Sequence, residues 1–168
     1  MKNNLLGICI FLFSLTTYAQ SLTISSASFK ANTSLAKQYT CDGADIAPAM
    51  AWSAAPANTK SFVLIMSDPD APGGEFYHWV VYNIPSIISS FSEGQTEMPA
   101  GTMVAENSFD KRKYSGPCPP AGSSHRYYFK LYALDTRLVL PVNADETSVL
   151  NAIKGHVIEE ASLTAHYP

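Results

Sequence analysis

The stretch YSGPCPPAGSSHRYYFKLYALD, residues 114–135, decides how this chain is built. Its first half is a Gly/Pro-rich turn, and that turn delivers His125 directly into a run of aromatic and aliphatic residues that reads as a strand over Arg126–Leu134. Side chains alternate between the two faces of an extended strand. His125, Tyr127, Phe129 and Leu131 therefore share one face, and Arg126, Tyr128, Lys130 and Tyr132 the other. An imidazole and a phenol stand side by side at the mouth of the strand, while Arg126 points away from them toward a structural partner, a carboxylate or loop carbonyls.

Further β-rich runs lie on either side of turn signals, at Leu22–Phe29, Ser61–Met66, His78–Ile84 and Leu163–Tyr167. The run SFVLIM, at 61–66, is apolar almost throughout and predicts a central strand covered on both faces. In the next strand, parity groups His78, Val80 and Tyr82 against Trp79, Val81 and Asn83. One helix is expected, capped by Asn143 with Glu146 three residues on, and carrying Val149, Leu150, Ile153, Val157 and Ile158 at helical spacing. Prolines cluster at loops such as DPDAPGG at 68–74 and GPCPPAG at 116–122, and those two loops are where binding residues are most at home. An X-Pro bond such as Ala71–Pro72 is a candidate for the cis form.

The N-terminal MKNNLLGICIFLFSLTTYA reads as a secretory signal over residues 1–19: a lysine, an apolar run from Leu5 to Leu15, and small residues at Thr17 and Ala19. Cys9 lies too early in the apolar run for a lipoprotein cleavage site. No stretch reaches the roughly 20 apolar residues of a membrane-spanning helix. The chain carries 11 basic and 14 acidic side chains and a formal net charge of −3, and cleavage would remove Lys2 alone among its charges. Lys111, Arg112 and Lys113 form too small a basic cluster for a nucleic-acid face and read as a solvated loop. One domain over 20–168, periplasmic or secreted, is the expectation. Cleavage also removes Cys9 and leaves two of the three cysteines, Cys41 and Cys118. In an exported chain that pair invites a disulfide, worth about 4 to 4.5 kcal/mol on chain-entropy grounds for so long a loop.

Six spaced segments carry a resemblance: YTCDGADIAPAMAW (39–52), DPDAP (68–72), HWVVYNIP (78–85), YSGPCPP (114–120), GSSHRYYFKLYALD (122–135) and GHVIEEASLTAHY (155–167). Together they are similar to the phosphatidylethanolamine-binding protein family, in its bacterial branch labelled Raf-kinase-inhibitor-like. The resemblance implies a mainly β fold with peripheral helices, a single-domain β-sandwich. It also implies a small anion-binding pocket lined by Asp68, His78, His125 and Tyr127. The mammalian branch adds a tyrosine from a C-terminal helix, for which this chain has no clear equivalent.

Imidazole and phenol donors suit phosphate or carboxylate oxygens, and Asp68 can accept from an imidazole and fix its tautomer. Binding should then tighten as the histidines protonate near their ordinary pKa of about 6.5. The leading reading is a non-enzymatic binding or regulatory protein for a small anionic or phosphorylated ligand, with neither metal nor cofactor. A second reading is an interaction or inhibitor scaffold that meets a protein partner through its Pro-rich loops. A zinc-dependent hydrolase ranks third: two histidines and an aspartate can ligate zinc, but their spacing matches no metal signature. Taken singly, each of these residues is more often structural, since Asp-Pro starts turns and strand histidines commonly satisfy carbonyls. His156 and His166 are read as structural or surface groups.

Overall fold

A computed structural model describes residues 21–53 and 55–168; the segment read as a secretory signal, 1–19, lies outside them. In chain order the elements are β1 (Thr23–Ser25), β2 (Thr33–Ser34), β3 (Met50–Ser53), β4 (Ser61–Asp68), β5 (Phe76–Pro85), β6 (Ser90–Phe91), β7 (Met103–Val104), β8 (His125–Leu134), α1 (Glu146–Ala152) and β9 (Val157–Tyr167). Six strands form one sheet in the order β2-β9-β8-β4-β5-β7, and three form a smaller sheet, β1-β3-β6. The result is a mainly β, single-domain sandwich.

Strand β4 is buried along its whole length, as its apolar run predicts. Phe62, Leu64 and Met66 face the smaller sheet, where they join Met50, Trp52 and Phe91. Val63 and Ile65 face the opposite way, into a second core closed by Val149 and Ile153 at α1. Each such side chain taken fully out of water contributes about 1.5–3 kcal/mol. Strand β8 shows the expected alternation: His125, Tyr127, Phe129 and Leu131 are buried, and Arg126 is exposed.

Strand β5 departs from simple parity. Met66 pairs with Trp79 but Ser67 pairs with Tyr77, so His78 is an extra residue in the ladder. Such a bulge re-aims the side chain it carries. His78 consequently leaves the face of Val80 and Tyr82, which lies in the α1-side core, and packs edge-on against Tyr127 with ring centroids 5.3 Å apart. A second irregularity falls farther along, where Asn83 has φ +56 and its side-chain amide exchanges hydrogen bonds with Leu138.

The helix differs from expectation at both ends. Its cap is Asp145, whose Oδ1 accepts from the Ser148 N–H at 2.8 Å, and not Asn143. It stops at Ala152; Gly155, at φ +80, turns the chain, and Val157 and Ile158 open β9 instead of extending the helix. The final strand thus begins six residues before Leu163, and regular pairing in the first run is confined to Thr23–Ser25. Cys41 and Cys118 are joined by a disulfide across a sequence separation of 77. Among the described residues, the X-Pro bond in the cis form is Tyr167–Pro168 and not Ala71–Pro72.

Candidate functional site

Strand β4 ends at Asp68, and the two neighbours antiparallel to it, β5 and β8, begin beside that end. This topology alone gathers Asp68, His78 and His125 from segments far apart in sequence. The Asp68 Oδ2 accepts from the His125 Nδ1 at 2.7 Å, with both side chains almost fully buried. Its Oδ1 accepts from the backbone N–H of Asp70 at 2.9 Å, so the Asp68-Pro69-Asp70 turn folds back on its own carboxylate.

Asp70 faces outward and binds the other side of β8. Its Oδ2 accepts from the backbone N–H and Nε of Arg126 at 2.9 and 2.8 Å, and its Oδ1 from Nη2 at 2.6 Å. These Arg126 hydrogen bonds hold the Asp70 carboxyl well below the usual carboxylate range. The turn is therefore fastened by Asp68 to the inner face of β8 and by Asp70 to the outer face. Parity predicted a structural partner for Arg126; nothing in the sequence identified Asp70 as that partner.

His78 donates from Nδ1 to the Ser115 carbonyl at 2.8 Å. Burial pushes its pKa below 6.5, while the Ser115 carbonyl and the Asp68 charge pull in the opposite direction. The neutral ring so fixed keeps its remaining nitrogen, Nε2, as an acceptor. Tyr127 lies behind the two imidazoles, near-parallel to His125 at 6.5 Å between centroids. Burial, followed by the Asp68 charge, drives its phenol far above the ordinary value, yet no acceptor meets hydrogen-bond geometry with its hydroxyl among the described residues.

Asp68, His78 and His125 open onto a cavity of about 230 Å³; Tyr127 is not in its wall. The rest of the wall is apolar: Phe76 and Phe109, with Pro72, Pro119 and Pro120 at the rim. The Phe76 and Phe109 rings meet edge-on at 4.8 Å, and each lies 5.4 Å from the His78 ring. Phe76 precedes His78 by two in sequence, a spacing that flags a shared strand face. Phe109 arrives on a loop and leaves no periodic signal.

That loop is shaped by Asn107, which is buried. Its Nδ2 donates to the carbonyls of His78 and Lys113 at 2.9 and 3.0 Å, and its Oδ1 accepts from the N–H groups of Phe109 and Lys111 at 3.0 and 3.1 Å. The next wall contains Cys118, tied through Cys41 to the 39–45 segment. There Gly116 donates to the Asp45 Oδ1 at 2.6 Å and packs so closely that a Cβ would lie 2.3 Å from the Tyr39 carbonyl oxygen. Among the described residues, no group of three His, Cys, Asp or Glu is placed to hold a metal ion.

A family model described as phosphatidylethanolamine-binding protein matches residues 25–168. A UPF0098 protein of Aquifex aeolicus is 43% identical over 150 residues, covering 87% of this chain and 88% of the relative. A putative lipoprotein of Mycobacterium tuberculosis is 39% identical, covering 89% and 73%. Among solved structures, a putative phosphatidylethanolamine-binding protein homologue from Chlamydia trachomatis superposes with a TM-score of 0.82 at 34% identity, over 88% of this chain and 97% of that one. Escherichia coli YbcL, described as a new member of the mammalian PEBP family, gives 0.83 at 30% identity over 88% and 98%.

Proposed function

This chain belongs to the phosphatidylethanolamine-binding protein family, and from that premise we propose that it is an exported, non-enzymatic binding protein whose Asp68–His125–His78 cavity takes a small anionic group, a phosphate or a carboxylate. The observation that carries this reading is the convergence of two imidazoles on one concave site, each with its Nδ1 already committed, His78 to Ser115 and His125 to Asp68. Both rings therefore have only Nε2 left for a ligand. The apolar wall of Phe76, Phe109 and prolines lowers the local dielectric beside the histidines and so strengthens polar contacts made against it. Export is supported by the disulfide, which persists in oxidising compartments, and by the putative-lipoprotein name of the mycobacterial relative.

A neutral His78 offers an acceptor at Nε2, so an anion must bring a proton or bind together with one. Its lowered pKa means that the ligand-free ring charges only below about 6.5, and binding should tighten as pH falls. Loss of phosphate charge through its own pKa near 6 opposes this at the acid end. The test is an NMR titration of residues 20–168 with phosphate and phosphoethanolamine, alongside folded His78→Ala and His125→Ala variants. Saturable shifts around His78 and His125, lost in both variants, are expected. An absence of shifts in the parent protein, or affinity that stays flat between about pH 5.5 and 8, would overturn the reading.

A further inference from the structure

The Ser115 carbonyl can only accept, so the His78 Nδ1 bonded to it at 2.8 Å carries a proton. The Asp68 carboxylate fixes a proton on the His125 Nδ1 in the same way, at 2.7 Å. Among the described residues, the buried side-chain polar atoms without a hydrogen-bond partner are Thr59 Oγ1, Thr102 Oγ1 and the Tyr127 hydroxyl. Neither imidazole Nε2 is one of these, and neither has a protein partner among the described residues. Both therefore reach open space, and the open space that the two rings border together is the histidine cavity.

His78 is 3% exposed, and the rings of Phe76, Phe109 and Tyr127 stand against it at centroid distances of 5.4, 5.4 and 5.3 Å. A second proton on this ring would put a charge inside an aromatic box, at the cost of its hydration. The ring is held neutral, and its Nε2 presents a lone pair to the cavity. The Asp68 oxygens are already engaged, Oδ2 by His125 and Oδ1 by the Asp70 N–H. Among the described residues the lining contains no lysine or arginine, and Arg126 is held by Asp70 on the outer face of β8. An anion without a hydroxyl thus sets its own lone pairs against that of His78 and meets no fixed cation.

We propose that the cavity selects oxyanions that retain a hydroxyl, which among phosphates means hydrogen phosphate or the monoanion of a phosphomonoester; this selectivity rests on the anion site proposed above. The P–OH donates to the His78 Nε2. At His125 the ligand either donates a second hydroxyl to Nε2 or accepts from a protonated Nε2. These two forms differ only in which side of one hydrogen bond holds the proton. Sulfate, an ionised carboxylate and a phosphodiester anion have no hydroxyl to give. An intact phospholipid head group is a phosphodiester, so the same lone pair that accepts a free phosphate disfavours it.

The test is a titration of residues 20–168 with inorganic phosphate, phosphoethanolamine, sulfate and dimethyl phosphate, at neutral pH and equal ionic strength, read at the His78 and His125 ring resonances. At least one of the first two ligands should bind about tenfold or more tightly than either of the last two, the effect of one unmet lone pair in a buried site. The ratio of phosphate to phosphoethanolamine then tells a free ion from an ester. His78→Gln, whose side-chain amide can donate, should narrow the gap. Sulfate or dimethyl phosphate binding within that margin, or a folded His78→Gln that keeps the full gap, overturns the selectivity and leaves the anion site standing. An absence of histidine shifts with all four ligands overturns the anion site itself and the selectivity with it. The ligands are compared in the parent protein, so that result stands whether or not the variant folds.

Discussion

His78 is the residue where the sequence says most about identity and least about orientation. The motif places it at the start of a strand, but alternation assigns it to the face of Val80 and Tyr82. Only the register shift opposite Met66 and Ser67 turns it to Tyr127. A bulge is a property of the paired ladder, so no single strand's pattern announces it. The lowered His78 pKa has a stability consequence. Below about 6.5 the unfolded chain takes up a proton that the folded ring refuses, so stability is fully retained above that pH and falls as pH drops from 6.5 toward the folded value. Urea melts at about pH 7.5 and 5.5 should show a larger acid loss for the parent protein than for His78→Gln. Asn107, which no motif flagged, is the larger structural commitment. Replacing it by Ala leaves the His78 and Lys113 carbonyls and two loop N–H groups without their partner, and a loss of about 2–4 kcal/mol is expected in the same melts.

At the scale of elements, β8 was legible from its own residues because a half-buried strand writes its alternation into the sequence. The helix was legible in place but not in extent. Val157 and Ile158 continue the helical spacing by coincidence, yet Gly155 and the long pairing of β9 with β8 take them into the sheet. Asn143 and Glu146 fit a capping box, but Asp145, one residue before the first turn, is the side chain that reaches Ser148. The two assignments separate cleanly: Asp145→Ala should cost about 1 kcal/mol in thermal or chemical unfolding, and Asn143→Ala close to nothing. The DPDAP turn joins both levels, because its two carboxylates bind opposite faces of the same strand and so hold β4 and β8 in register at the open end of the cavity.

Across the whole molecule, family and sandwich architecture were legible because the motifs recur in order from residue 39 to residue 167, and the matching family model covers 25–168. The apolar wall of the cavity was not legible, since Phe109 and the Pro119–Pro120 rim come from loops whose paths depend on buried contacts such as those of Asn107 and Gly116. The Cys41–Cys118 bond ties together segments a long way apart in the chain. Removing it with Cys41→Ser and Cys118→Ser should lower stability by about 2–5 kcal/mol in chemical unfolding. Cys118 also lines the cavity, and both cysteines are exposed to solvent. A small dithiol can therefore reach the bond and turn it into two thiols, releasing one wall of the histidine cavity from its anchor without touching either histidine. If the cavity takes an anion as proposed, protein prepared in a reducing cytosol should bind phosphate more weakly than the same chain matured where disulfides form, which a phosphate titration of the two preparations checks.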